Sequence, residues 1–319
     1  MDQTSHAPGQ PLALDVLHTF QLGRAGVRGA FVRLARSWQD LRSNGDYEGT
    51  LAELLGQAVA ASALFTSGIK FDGRLSVQLQ GSGSLRLLFA ECTHDGFVRG
   101  IARCDEAVPG TRVRLEPDAH LAITIENSIT DTRYQGMVPL EGNDLASAFE
   151  HYFERSEQLP TRIVLAESGG RCGGLLLQKV AREGGAGLTD AHGGASAAGA
   201  GCAGAADEDG WNRVGHLLAT MSERELLELP PEVLLLRLFH EEEVRLQPAQ
   251  PLAFACTCSR ERVETMLRSL GRAESDETLA EQGSVEVHCE FCNRRYVFDD
   301  KDIADVFAGE PADPSSTRH

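Results

Sequence analysis

The chain has 319 residues, a formal charge of −17, 42% apolar residues and only 6% aromatics, a length that accommodates roughly two domains. The acidic balance repels a phosphate backbone and argues against nucleic acid as the main partner; it also favours solubility. Met1 to Gln10 is polar and lacks the pattern of a signal peptide, and no aliphatic run approaches the ~18 residues of a membrane span, so a cytoplasmic protein with no membrane partner is expected.

Residues 11–183 read as one N-terminal α+β domain. Val27 to Leu34 is a strand. Leu51, Leu54, Leu55, Ala58 and Val59 recur at helical spacing. Leu75 to Gln80 alternates, Gly81-Ser82-Gly83-Ser84 turns the chain, and Leu85 to Ala90 returns, which predicts a hairpin. His120 to Glu126 alternates again. Leu145, Ala148, Phe149 and Tyr152 mark a second helix, and Leu175-Leu176-Leu177 a buried strand. The elements follow no regular βαβ rhythm, which favours α+β over a doubly wound sheet.

Residues 184–210 contain nine Gly and nine Ala, a composition that buries too little apolar surface to offset its ordering entropy. A flexible insertion is expected there. A helical linker region follows at 211–249. Ser222 and Glu225 make a capping-box pattern, and Pro230-Pro231 ends one helix and opens the next. Leu226, Leu227, Leu229, Leu234, Leu235, Leu238 and Phe239 leave this region apolar on nearly every face, so it needs a partner surface. Two readings are open: an ordinary interdomain helix, or a conditionally exposed sticky surface.

Residues 250–308 form a small C-terminal unit. Ser259 caps a helix carrying Val263, Met266, Leu267 and Leu270, ended by Gly271. Two short strands, Val285–His288 and Tyr296–Phe298, flank Cys289-Glu290-Phe291-Cys292. A last helix carries Ile303, Val306 and Phe307, and residues 309–319 read as a disordered tail.

Eight cysteines stand at Cys92, Cys104, Cys172, Cys202, Cys256, Cys258, Cys289 and Cys292. In a reducing compartment clustered thiols bind metal or do redox chemistry more often than they form structural disulfides. The small unit needs a staple beyond its core. Cys256-x-Cys258 and Cys289-x-x-Cys292, separated by residues 259–288, match a tetrahedral four-thiolate zinc shell. His288 sits beside Cys289, and strand alternation points it away from the sulfurs. Arg260, Arg262, Arg294 and Arg295 flank the pairs and favour the thiolate form. A C-x-C disulfide would be strained and reversible. These features leave open whether the zinc is structural or a redox switch.

The residues now suffice to place a resemblance. The chain resembles the redox-regulated heat-shock chaperones of the thirty-three-kilodalton class. The match rests on Cys256-Thr257-Cys258-Ser259-Arg260-Glu261, Leu270-Gly271, Val285 to Asn293, Tyr296 and Phe298 in the last unit. Glu225-Leu226-Leu227 and Leu238-Phe239-His240-Glu241-Glu242 carry it in the middle. Val27-Arg28-Gly29, Tyr134-Gln135-Gly136, Ser156 to Thr161 and Gly173 to Gln178 carry it in the first domain. The resemblance implies an ATP-independent holdase that is not an enzyme. It implies zinc on Cys256, Cys258, Cys289 and Cys292 when reduced. It further implies zinc release on oxidation, disulfides Cys256–Cys258 and Cys289–Cys292, and a homodimeric active state that binds unfolding client proteins. Leu226, Leu227, Leu229, Leu234, Leu235, Leu238 and Phe239 are then the candidate client-binding surface. The 184–210 segment departs from the family pattern as a long insertion, and Cys92, Cys104, Cys172 and Cys202 have no place in its motif. Cys92 and Cys104 are expected to be buried thiols, and Cys202 an accessible one. Two alternatives compete: a zinc-ribbon module recruiting nucleic acid or protein, and a thiol-disulfide oxidoreductase built on Cys289 and Cys292.

Overall fold

The computed structural model describes residues 15–69, 72–81, 84–105, 113, 115, 119–140, 144–180 and 208–308. The Gly/Ala-rich segment up to residue 207, Cys202, the hairpin tip at 82–83, the first ten residues and the tail at 309–319 lie outside the described residues. Internal contacts divide the chain into two units, residues 1–255 and 256–319.

The first unit opens with β1 (Val16–Leu22), β2 (Val27–Leu34), α1 (Arg36–Arg42) and α2 (Gly49–Thr66). It continues through β3 (Gly73–Gln80), β4 (Leu85–Thr93), β5 (Phe97–Cys104), β6 (His120–Asn127) and β7 (Thr132–Pro139). Then come α3 (Leu145–Ser156), β8 (Thr161–Ser168) and β9 (Arg171–Lys179). After the undescribed stretch it resumes with α4 (Glu208–Ala219), α5 (Glu223–Glu228) and α6 (Pro231–Phe239), and closes on β10 (Val244–Leu246), β11 (Gln250–Pro251) and β12 (Ala253–Phe254). One sheet runs β10-β1-β2-β9-β8 with β11 also on β1; the other runs β12-β5-β4-β3-β6-β7. The expected α+β class is the observed one. The strand expected at Val27–Leu34 has the expected bounds, and the predicted hairpin is the β3–β4 pair.

Helix α2 explains how the two sheets share a core. It packs on β2, β8 and β9 of one sheet and on β3, β4 and β5 of the other. Fourteen of its eighteen residues are buried, as a helix enclosed on all sides requires. Ala58, Ala60, Ala61 and Ala63 are fully buried and let the strands approach.

The first sheet is buried on both faces. Ala30, Val32, Leu34 and Leu176 belong to the core around α2, whereas Phe20, Val27, Phe31, Leu175 and Leu177 pack with Leu226, Leu227, Leu234, Leu235, Leu238 and Phe239. Side chains alternate across a strand, so a sheet covered on both sides reads as the unbroken run Leu175-Leu176-Leu177. Each of the six buried linker side chains contributes about 1.5–3 kcal/mol as an upper estimate. Leu229 is only partly buried against this cluster, and Val233 and Leu236 are 50% and 63% exposed. The sticky surface considered from the sequence is therefore docked, and the interdomain-helix reading describes this conformation.

Local signals hold the docked helices. Ser222 and Glu225 form the expected capping box on α5, and Pro231 opens α6. Buried Glu242 accepts two hydrogen bonds from Arg213 of α4, at 2.6 and 3.1 Å. Arg33 of β2 is 2% exposed on the strand face that carries Phe31. Its Nη1 donates to the Leu229 carbonyl at 2.7 Å, while its Nε is buried without a hydrogen-bond partner. Burial first, and the nearby Arg171 second, pull its pKa below the ordinary guanidinium value, with Glu232 opposing. A buried cation with incomplete compensation carries a desolvation cost that works against its hydrogen bond.

Residues 250–254 were expected to belong with the zinc unit. They instead join the first unit, β11 on β1 and β12 parallel to β5. Two-residue strands carry no periodicity, so the sequence offers no signal for these pairings. Cys92 is buried as expected, and Cys172 is buried too. Cys104 is exposed rather than buried; it ends β5, whose last two residues face solvent.

The second unit contains α7 (Arg260–Leu270), α8 (Arg272–Gln282), β13 (Val285–His288), β14 (Arg295–Phe298) and α9 (Asp300–Val306). Its core has seven buried side chains: Leu267, Val285, Tyr296, Phe298, Ile303, Val306 and Phe307. Gly271 takes φ +96° between α7 and α8, a conformation open to glycine. Capping pairs of Ser259 with Arg262 N–H and of Asp299 with Asp302 start α7 and α9.

Candidate metal centre

Two short segments of the second unit converge. Cys256 and Cys258 stand just before α7, whose start is fixed by the Ser259 cap. Cys289 and Cys292 occupy the turn joining β13 to β14, which pair from Val285↔Phe298 to His288↔Arg295. The turn is closed by Cys289 N–H donating to Arg294 O at 2.9 Å and Asn293 N–H donating to Cys289 O at 2.8 Å. Asn293 adopts φ +52°, which asparagine tolerates better than most residues.

The four sulfurs all lie within 4.8 Å of one another. Cys256 Sγ is 3.6 Å from Cys289 Sγ, and Cys258 Sγ is 3.3 Å from Cys292 Sγ. A regular tetrahedron with ~2.3 Å zinc–sulfur bonds has edges of about 3.8 Å, so the donor set and its spacing fit a tetrahedral metal. Both of these approaches run between the two loops. His288 is outside the cluster; it is exposed, with Nδ1 3.3 Å from Asn293 Oδ1.

The sulfurs differ in their surroundings. The Cys258 amide bonds the Cys256 sulfur and the Arg294 amide bonds the Cys292 sulfur. The Tyr296 hydroxyl donates to Cys258 Sγ at 3.1 Å. Burial, reinforced by the neighbouring thiols, pushes Cys292 up to about 12, and burial also raises Cys256. Burial acts against Cys258 as well, but hydrogen bonds from Tyr296 and the other thiols outweigh it and bring Cys258 down to about 7. Without a cation the cluster therefore resists holding four thiolates, and a divalent metal is the group that reverses this.

The arginines flanking the cysteines do not act alike. Arg294 bonds the Tyr296 hydroxyl and places its charge near Cys258 and Cys292. Arg295 pairs with Glu286. Arg260 pairs with Glu264 and Asp302 and lies 4.1 Å above the Phe298 ring. Arg262 donates to Thr257 Oγ1 at 2.7 Å. Carboxylates thus neutralise Arg260 and Arg295, which weakens the zinc-ribbon reading built on a basic face. Cys289 and Cys292 sit in a hairpin turn rather than at a helix start, unlike the usual setting of a thiol oxidoreductase pair. Sequence reasoning found all four cysteines but missed Tyr296 as their neighbour, since a core tyrosine and a sulfur donor look alike in sequence.

Comparison with known proteins agrees with this geometry. A family model described as Hsp33 protein matches residues 15–299. The 33 kDa chaperonin of Pseudomonas syringae pv. tomato is 40% identical over 311 residues, covering 96% of this chain and 98% of that protein. The 33 kDa chaperonin of Ectopseudomonas mendocina is 43% identical over 310 residues, covering 96% and 99%. The crystal structure of the 33 kDa chaperonin from Thermotoga maritima superposes with a TM-score of 0.73 at 21% identity, covering 92% of this chain and 98% of that one, which establishes a common fold. By motif, fold and extent of match, the chain belongs to the Hsp33 family of chaperones.

Proposed function

We propose that this chaperone is a holdase switched by the redox state of Cys256, Cys258, Cys289 and Cys292, which together hold one zinc ion when reduced. The observation that carries this reading is the convergence of four sulfurs within 4.8 Å in a unit whose core has only seven buried side chains. Zinc supplies charge neutralisation for four thiolates and a cross-link between the two loops. Such ligation contributes on the order of 10 kcal/mol to a small domain, comparable with the whole stability of a typical one, about 5–15 kcal/mol.

Oxidation acts at the sulfurs. Two thiolates, one molecule of peroxide and two protons give one disulfide and two waters; the sulfurs lose two electrons and the peroxide oxygens gain them. Neutral disulfide sulfurs no longer ligate a cation, and the module loses its staple. The resemblance to the redox-regulated family implies the pairs Cys256–Cys258 and Cys289–Cys292.

Opening then spreads along the chain. Ala255, the last residue of the first unit, adjoins Cys256, so an unfolded module frees the short pairings of β10, β11 and β12. Without those anchors, α5 and α6 detach from the first sheet. Leu226, Leu227, Leu229, Leu234, Leu235, Leu238 and Phe239 become available, together with the sheet face of Phe20, Phe31, Leu175 and Leu177. Unfolding proteins bind this apolar surface by burial, without sequence readout and without ATP. The oxidised form acts as a homodimer in the cytoplasm. Among the described residues no helix is long and apolar enough to cross a membrane.

The test is a titration with oxidant that follows bound zinc and suppression of a client's thermal aggregation together. The reduced, zinc-loaded protein should fail to protect the client and the oxidised protein should succeed. Equal protection in both states would end the switch.

A further inference from the structure

The four sulfurs of the cluster have unequal hydrogen-bond donors, and one donor is a side-chain hydroxyl. Tyr296 lies on β14, where its ring is 8% exposed and belongs to the core of the second unit. Packing alone would accept phenylalanine there, as it does at Phe298, the next inward position of the strand. The hydroxyl instead reaches Cys258 Sγ at 3.1 Å. Cys256 and Cys292 receive backbone amides, which a change of side chain other than to proline leaves in place. Arg294 places its charge beside Tyr296, Cys258 and Cys292.

We infer that Tyr296 is a positioning residue of the switch: its hydroxyl donates to the Cys258 thiolate, restrains that sulfur as a nucleophile and so sets the oxidant level at which the site fires. A hydrogen bond to an anionic acceptor is among the stronger ones, because it draws charge from the atom that must attack. Groups beyond the metal ligands typically change affinity or reactivity by 10–100-fold when removed. The restrained step is attack of the Cys258 sulfur on the peroxide O–O bond. A sulfur–oxygen bond forms, the oxygen–oxygen bond breaks, and hydroxide leaves to take up a proton as water. A second thiolate then attacks the sulfenic sulfur, the sulfur–oxygen bond breaks, and the departing hydroxide takes up the second proton as water, leaving the disulfide. Withdrawing charge from the attacking sulfur slows the first of these steps.

This inference rests on the zinc-switch reading, and its test separates the two. Tyr296→Phe keeps the ring and its packing while removing the donor. Zinc content and zinc release by hydrogen peroxide are measured on reduced wild type and Y296F. Both should carry one zinc per chain, and Y296F should release it faster, on the order of tenfold. With cobalt in place of zinc, the sulfur-to-metal charge-transfer band of Y296F should move to longer wavelength, a shift that a packing role would not produce. Equal release rates and an unshifted band in two metal-loaded proteins overturn the role of Tyr296 alone. A wild type that binds no zinc overturns the switch reading with it. Should Y296F fail to fold, alkylation of zinc-loaded wild type by iodoacetamide decides: Cys258 should react several-fold more slowly than Cys289, whose sulfur meets only a thiol, and equal reactivity overturns the inference.

Discussion

The two units of this chain are held by different physics. In the first, a helix buried on all sides lies in a core shared by two sheets, and a second apolar layer seats α4, α5 and α6 on the outer sheet face. In the second, seven buried side chains form the core among the described residues, and four sulfurs converge beside it. Apolar burial is insensitive to redox conditions, whereas thiolate ligation exists only while the sulfurs are reduced. A chain that joins the two directly at Ala255 and Cys256 can lose one part without losing the other.

The largest expected effect comes from taking the metal away. Cys289→Ser, or a strong chelator acting on the reduced protein, should abolish stoichiometric zinc binding and melt residues 256–308. Hydrogen exchange should show that unit open while β1 to β9 stay protected. Uniform loss of protection across the chain would erase the contrast between the units.

Next is the apolar layer. Leu235, 1% exposed, packs in the linker cluster, and Leu235→Ala should cost about 2–5 kcal/mol. The variant should bind an apolar dye and hold a client while still reduced and zinc-loaded. If zinc-loaded L235A stays inert toward clients, the docked linker is not the concealed surface.

Arg33 works in the opposite direction. Replacing a buried, incompletely paired ion by an apolar residue of similar volume relieves its desolvation cost. Freeing the Leu229 carbonyl offsets part of this, at about 1–3 kcal/mol. Arg33→Met should therefore raise the denaturation midpoint of the first unit modestly and raise the oxidant level needed for client binding. A clear fall in both would mean that Arg33 is an anchor rather than a destabilising charge.

The pH dependence of zinc affinity follows from the thiols. Burial holds Cys292 at about 12 and raises Cys256 without a cation, so ligation at neutral pH displaces protons. A sulfur kept ionised by a metal has its pKa depressed in the folded, ligated state. Its contribution is present at high pH and is lost as pH falls. Zinc affinity should weaken on going from pH 8 to pH 6, by about tenfold per unit for each displaced proton. An affinity flat over that range would mean that the sulfurs are already ionised before metal arrives.

Much of this was legible in the sequence where one pattern dominates. The β2 run from Val27 to Leu34, the β3–β4 hairpin, the Ser222 capping box and the paired cysteines each carry a local signal that the structure obeys. The failures are those of context. Strands β11 and β12 have two residues each, too few to show a period. Helix α8 buries Ser275 alone, so it lacks an apolar stripe to find. Cys104, expected to be a buried thiol, sits at the solvent-facing end of β5. The docking of α5 and α6 depends on the outer face of a sheet assembled from distant strands, and the hydroxyl of Tyr296 depends on where the sheet register places it.

The most direct measurement is hydrogen exchange resolved by residue during an oxidant titration, with bound zinc read in parallel. Amides of residues 256–308 should lose protection in step with zinc loss, followed by those of residues 222–254, while β2, β3 and α2 remain protected throughout. Zinc loss that leaves residues 256–308 protected would contradict the account at its centre.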